Sequence, residues 1–242
     1  MSLNHSPAIV TDGLVLCLDA GNSRSYPKSG TTWSDLIGTN DGVMQNMTSA
    51  NYSSDNGGSL IFDGADEYIN CGTGSNIFPT DSPFSISLWV NQDVTSNANL
   101  NPRGFFSINK SSTNERGTNF WNQNTKVTFR IAPAGTNAGS QFNSSTTPTV
   151  GLWSHWTAVF EYDAATAVSR QGVSKIYYNG NFETSEVDQS PTVLSADAVI
   201  GASEGGTAYY LDGKISCVTV YNRALTADEV RQNYEATVGR YT

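Results

Sequence analysis

Apolar and polar residues alternate in steps of two along most of this chain. In Phe84-Ser-Ile-Ser-Leu-Trp-Val90, Phe84, Ile86, Leu88 and Val90 share one face and Ser85, Ser87 and Trp89 the other, as in a strand that buries one side. Trp156, Ala158, Phe160 and Tyr162 repeat the pattern. Further strands are predicted over Leu14 to Leu18, Ser59 to Phe62, Phe105 to Ile108, Val127 to Ile131, Val173 to Tyr178, Ala198 to Ile200 and Ile215 to Tyr221. Short strands at this spacing predict a sandwich. Asn179-Gly180 suits a type I′ hairpin turn, which needs positive φ at both central residues. Asp12-Gly13, Asp41-Gly42, Asp63-Gly64 and Asp212-Gly213 mark further turns, and 95–103 and 135–149 are predicted loops. No stretch has the composition of a linker, so residues 1–242 are expected to form one domain.

Near the end the period changes to 3.6. Thr226 and Glu229 have capping-box spacing, and Leu225 with Val230 has that of a hydrophobic staple. A helix from 227 to about 237, closed near Gly239, follows, and so short a helix must pack Val230 and Tyr234 on the body. The strands at Leu14 to Leu18 and Ile215 to Tyr221 are apolar on both parities. Both of their faces are therefore expected to be covered, by this helix or by a neighbouring subunit.

The 242 residues carry 13 Lys+Arg and 22 Asp+Glu, a formal charge of −9. With no basic cluster, this charge excludes binding to nucleic acid or anionic membranes through their phosphates. No apolar run reaches the ~18–20 residues of a membrane span, and Met1 to Pro7 lacks the basic and apolar regions of a signal peptide. Although only 38% of residues are hydrophobic, 5 Trp, 11 Tyr and 10 Phe supply a core. Cys17, Cys71 and Cys217 read as buried thiols in strands, with Cys17 facing Cys217 if the terminal strands pair. The Asn-x-Ser/Thr triplets at Asn46, Asn51, Asn109 and Asn143 read as products of an Asn/Ser/Thr-rich composition.

Taken in order, Gly13-Leu-Val-Leu-Cys-Leu-Asp-Ala-Gly-Asn22, Gly58-Ser-Leu-Ile-Phe-Asp-Gly-Ala-Asp-Glu-Tyr-Ile69, Phe84 to Val90, Trp153-Ser-His-Trp156, Ile176-Tyr-Tyr-Asn-Gly180, Leu211-Asp-Gly-Lys-Ile215 and Tyr221-Asn-Arg-Ala-Leu-Thr-Ala-Asp-Glu-Val230 resemble the LamG-like, concanavalin A-like jelly-roll family. The resemblance implies an all-β, two-sheet antiparallel sandwich with one short C-terminal helix and adjacent terminal strands, used as a glycan-binding or protein-binding module. Ser25-Tyr26-Pro27 and Thr31-Thr-Trp-Ser-Asp-Leu36 are similar to a subset found in virion proteins of tailed bacteriophages. That subset implies a particle protein made in a bacterial cytoplasm, in contact with capsid or tail proteins or with its own copies.

Fold does not fix function, so the residues must decide. Glycosidase relatives carry Glu-x-Asp-x-Glu on one strand because retaining hydrolysis needs two carboxylates ~5–5.5 Å apart. Here Glu186-Val-Asp188 continues Gln189-Ser190-Pro191, and Glu183 lies on the wrong side of the motif. His5 and His155 are the only histidines, and no nucleophile elbow or phosphate loop is present. No catalytic residue is assigned. Calcium takes six to eight oxygens, and Asp63, Asp66, Glu67 and Asp212 sit beside glycines at strand ends. Asp63, Asp66 and Asp212 are the candidate ligands of a structural Ca²⁺, against the commoner role of such residues as turn formers. A glycan site needs exposed rings beside amides. Asn119-Phe-Trp-Asn-Gln-Asn124 and Ala208-Tyr-Tyr210 have that composition, with Trp121 and Asn122 as the candidates, against packing of these rings in the sandwich. Two readings stand: a virion structural or decoration module, and a glycan-binding adhesin.

Overall fold

The computed structural model describes residues 7–77, 82–94, 102–108, 117–131, 140–162, 171–189 and 196–242. His5, Asn109, the turn at Ser190-Pro191, most of the two predicted loops and the side chains of Tyr162 and Asp188 lie outside the described residues. The described strands are β1 (Leu14–Asp19), β2 (Thr32–Trp33), β3 (Gly42–Gln45), β4 (Tyr52–Ser53), β5 (Ser59–Asp63), β6 (Tyr68–Thr73), β7 (Phe84–Gln92), β8 (Arg103–Ile108), β9 (Thr118–Gln123), β10 (Lys126–Ile131), β11 (Ser140–Asn143), β12 (Trp153–Tyr162), β13 (Gln171–Tyr178), β14 (Asn181–Gln189), β15 (Asp197–Ile200) and β16 (Asp212–Tyr221). They form two eight-stranded sheets. One runs β14-β13-β12-β7-β16-β5-β4 with β1 also on β16, and the other β11-β10-β9-β8-β15-β6-β3-β2. The pairings are antiparallel throughout.

The period-two faces pack against each other as the alternation requires. Phe84, Ile86, Leu88 and Val90 from the first sheet meet Phe106, Phe120, Phe129 and Ile200 from the second in one buried cluster. Phe84 crosses the interior to Phe129 at 6.1 Å in an edge-to-face contact, which Phe120 continues at 5.9 Å. The register of β16 on β7 shifts between Ile215 and Cys217. That bulge explains the mixed parity of the segment: Ile215, Val218 and Val220 point into the core, while Tyr221 joins the cluster on the opposite face. Asn179 and Gly180, at φ 48° and 76°, make the predicted hairpin turn between β13 and β14.

Part of the outer face of the first sheet is covered by the helix α1 (Ala227–Thr237). The capping box forms as its spacing predicts, with the Thr226 hydroxyl accepting from Glu229 N and the Glu229 carboxylate accepting from Thr226 N at 2.9 Å. Val230 is buried with Leu225, Tyr221, Val159 and Tyr177. The helix ends in a 3₁₀ turn over Val238–Arg240 and not in the left-handed glycine cap expected near Gly239. This turn lays Tyr241 on Trp89 at 4.0 Å, with Tyr234 stacked on the same indole at 5.8 Å. Cys17 stands opposite Thr219, and Cys217 opposite Asp19, so the two thiols are offset along the paired strands and remain free.

One polar side chain ties this layer together. Asn233 Oδ1 accepts from Val10 N at 2.8 Å, its Nδ2 donates to the Tyr221 hydroxyl at 3.0 Å, and that hydroxyl donates to Val10 O at 3.0 Å. The N-terminal segment, β16 and α1 are closed into one buried ring of bonds. Asn233→Ala leaves the buried Val10 N–H without its acceptor and takes one donor from the Tyr221 hydroxyl, and is expected to lower stability by about 2 kcal/mol, measured by urea unfolding with two-state analysis.

Candidate functional site

α1 covers the first sheet over β1, β16, β12 and β13, and part of the outer surface of the second sheet is covered too. Residues 202–210 lie over β8 and β9: Ser203 Oγ donates to Asn119 Oδ1 at 2.8 Å and Ser107 Oγ to Ala202 O at 3.2 Å. Over β3 and β6 the face is open. There a polar depression of about 430 Å³ is walled by Thr39, Asn40 and Asp41 from a loop, Val43 and Gln45 from β3, Asn70 and Gly72 from β6, and Asn76 from the following turn.

Local sequence explains each wall. In β3, Met44 turns into the core, so Val43 and Gln45 turn outward; in β6, Ile69 and Cys71 turn inward, so Asn70 turns outward directly opposite Val43. Val43 is 46% exposed, a branched apolar side chain left among amides. The register of β15 on β6 shifts between Asp197/Thr73 and Val199/Asn70, which gives β6 one extra residue. Gly72 takes this bulge at φ 75°, with nothing within 4 Å of where a Cβ would stand, so the floor stays clear. Asn70 is fixed at both ends of its amide: Oδ1 accepts from Gly72 N at 2.7 Å and Nδ2 donates to Asp197 Oδ2 at 2.9 Å.

The loop wall is held from below by one carboxylate. Asp35 accepts from the backbone nitrogens of Cys17 (3.0 Å), Ile37 (3.1 Å), Gly38 (3.0 Å) and Asn40 (3.3 Å), which pins residues 35–41 to β1. Asp41 Oδ1 accepts in turn from Asp35 N at 2.8 Å. The depression is thus assembled from amides on strands β3 and β6, on the 39–41 loop and on the turn after β6, with Asp41 as its one lining carboxylate.

The residues singled out from sequence lie elsewhere. Trp121 and Asn122 are not in a polar loop: both belong to β9, at 6% and 0% exposure, with β8 and β15 between them and β6. Asn122 turns to the core side with Phe120, and the Trp121 ring meets Tyr209 edge-to-face at 5.9 Å. The polar string 119–124 reads as a loop because its outward residues Asn119 and Gln123 are amides, yet Phe120 anchors it as a strand. Asp63, Asp66 and Asp212 do not assemble a calcium site. Asp63 Oδ1 accepts from Ala65 N at 2.8 Å as a turn former, and Asp66 is exposed with only its backbone oxygen engaged, by Asn46. Asp212 stands opposite Asp63 across β5 and β16, and Arg103 is the cation beside it, donating to Tyr210 O at 3.0 Å. Burial pushes the Asp212 carboxyl up, Arg103 pulls it down, and Asp93 and Asp63 push it up again. Glu67 is spent on Asn51 Nδ2 (2.6 Å) and Asp63 N (2.7 Å). No group of three His, Cys, Asp or Glu suited to a metal exists among the described residues.

His155 lies 2.8 Å from the Ser87 hydroxyl through Nε2, and Ser87 lies 2.8 Å from Thr157. The pair mimics a nucleophile and base, but His155 is 4% exposed beneath Trp89 and Tyr234, where no substrate reaches it. Burial pushes its pKa down to about 3, so the imidazole is a neutral structural group.

The sequence profile of the Concanavalin A-like lectin/glucanases superfamily matches residues 63–231. No curated protein matches the chain. Among solved structures, domain 4 of AbnA, a GH43 extracellular arabinanase from Geobacillus stearothermophilus in complex with arabinotriose, superposes with a TM-score of 0.67 at 17% identity, covering 91% of this chain and 98% of that one. The binding domain of Paraclostridial Mosquitocidal Protein 1 gives 0.64 at 14% identity, over 92% of this chain and 52% of that one. Trypanosoma rangeli sialidase gives 0.63 at 14% identity, over 99% of this chain and 36% of the enzyme. This chain therefore spans about half of the mosquitocidal binding domain and about a third of the sialidase.

Adding Ca²⁺ or EDTA is expected to shift the melting temperature by less than about 1 °C, while Arg103→Met, which strips the cation from Asp212, costs about 1–2 kcal/mol in urea melts. Because folded His155 stays neutral to about pH 3 while the unfolded imidazole takes up a proton near 6.5, stability falls as pH drops through that window, by up to ~1.4 kcal/mol per pH unit from this group. His155→Gln removes that share of the slope between pH 6.5 and 4, measured in parallel unfolding series.

Proposed function

Because the chain belongs to the concanavalin A-like lectin/glucanases superfamily, we propose that it is a non-catalytic carbohydrate-binding module whose ligand lies in the depression over β3 and β6. The observation that carries this is the set of oriented amides around an exposed apolar side chain. Sugar hydroxyls need donors and acceptors, which the amides of Asn40, Gln45, Asn70 and Asn76 offer, and the C–H face of a pyranose or furanose needs a dry contact, which Val43 offers. A volume of about 430 Å³ falls within the ~300–1,000 Å³ of small-molecule sites. The similarity in fold to an arabinanase domain holding arabinotriose, over nearly the whole of both chains, supports the same reading. Hydrolysis needs a pair of carboxylates across the bond, and the depression has Asp41 alone in its lining.

A second reading rests on a different surface. The edge strand β14 carries a bulge against β13 that sets Phe182 opposite Tyr177 and Val187 opposite Val173 on one outward face. Phe182 and Val187 are 56% and 60% exposed, an apolar row on an open edge of the kind that a neighbouring chain covers. It supports contacts with capsid or tail proteins, or with further copies, in a virion assembled in a bacterial cytoplasm. Stoichiometric recovery of the chain in purified particles, lost on Phe182→Lys with Val187→Lys, is the outcome that reading requires.

For the carbohydrate reading, calorimetric titration with arabinotriose and a panel of neutral oligosaccharides is expected to give saturable binding and no released reducing ends. Asn70→Ala combined with Gln45→Ala is expected to weaken binding at least tenfold, roughly 1.4 kcal/mol. The melting temperature should stay within about 2 °C of the parent, since both side chains lie on the outward face.

A further inference from the structure

We infer that the depression selects uncharged glycans and rejects those bearing carboxylate or sulfate groups, an inference that rests on the carbohydrate reading of the same site. Its charge is one-sided. Asp41 lines it, and no Lys or Arg does among the described residues. Two more carboxylates stand directly behind the lining: Asp35, whose oxygens are held by three backbone nitrogens of the loop and by Cys17 N of β1, and Asp197, which holds the amide of Asn70.

None of the three is paired with a cation in an ion pair among the described residues, so their field is not cancelled locally. The floor registers it. The Cys71 thiol, which borders the depression, is pushed up to about 12 by its burial, with Asp35 and Asp41 adding to the shift. An anionic sugar entering here meets like charge, finds no guanidinium fork of the kind that recognises carboxylate or sulfate, and loses its own hydration. A neutral sugar meets only amides, a branched apolar side chain and a carboxylate acceptor. The remaining oxygen of Asp41 then accepts from a hydroxyl, a charge-assisted bond that an anionic substituent nearby would oppose.

The test uses the whole chain and matched ligand pairs: lactose against 3′-sialyllactose, and a neutral arabinan trisaccharide against trigalacturonate, titrated at low and high ionic strength. Neutral members are expected to bind at least tenfold more tightly than their anionic partners at low salt. The gap should narrow as salt screens the carboxylates, and narrow again in Asp41→Asn at fixed salt. Anionic members binding as tightly as the neutral ones, or tightening when salt is lowered, would overturn the selectivity while leaving the carbohydrate reading intact. Binding confined to cationic amino sugars also overturns it. If no ligand of either kind binds, and Asn70→Ala behaves as the parent, the carbohydrate reading falls and the selectivity with it.

Discussion

The fold depends on an unequal covering of its two sheets. A sandwich needs only its inner faces buried, yet β1 and β16 are apolar on both sides, and their outer sides must also leave water. The chain meets that demand with its own two ends: α1 lays Val230 on Tyr221 and Val159, the residues around Val10 close the gap, and the Asn233 ring of hydrogen bonds fixes both in place. Arg240 locks the end of the chain by binding Asp19 at 2.9 Å and Ser216 at 3.1 Å, and its neighbour Tyr241 covers Trp89. The part of the outer face under α1 is packed by the chain itself. The proposed binding surface is on the opposite sheet, where strand alternation sends Val43, Gln45 and Asn70 outward.

Rigidity at that surface comes from elements that have nothing to do with a ligand. Asp35 gathers backbone nitrogens that a loop of this length would otherwise leave to solvent, and the bulge at Gly72 opens the floor while its N–H orients Asn70. Binding groups that are already in place lose little freedom on meeting a sugar, which is how a shallow polar site gains affinity. The buried Ser87 and His155 show the reverse case. Their geometry would suit catalysis, but they serve to satisfy polar groups beneath a helix.

Much of the fold was legible in the residues. The alternation at Phe84 to Val90, the Asn179-Gly180 turn and the Thr226/Glu229 box each specify a local geometry with few alternatives, and each appears where it was expected. Strands β2, β3, β4, β6, β9, β11 and β14 were not among the predicted ones: β2, β3, β4 and β11 have four residues or fewer, and β6, β9 and β14 carry polar residues at many positions. Val43-Met-Gln45 and Tyr68-Ile-Asn-Cys71 do carry the period of two, too briefly to stand out. The proposed site lies on two of these strands, β3 and β6, whereas composition pointed to Trp121 and Asn122. Trp121 sits in a polar string and reads as exposed, yet exposure is set by what crosses above a strand, here residues 202–210, and that contact is made between positions eighty residues apart. Nor is it legible in the sequence that the cation beside Asp212 is Arg103, which only the folded sheet brings there.

The most direct check on this account is to see where a sugar touches the protein. Backbone amide shifts followed by NMR during titration with a neutral oligosaccharide should move at residues 39–45 and 70–76 and stay still at Trp89, Tyr234 and Tyr241. Shifts centred on α1 and the Trp89 stack, or on Trp121 and Tyr209, would show that the sealed face opens or that the ligand sits elsewhere, and would contradict the account.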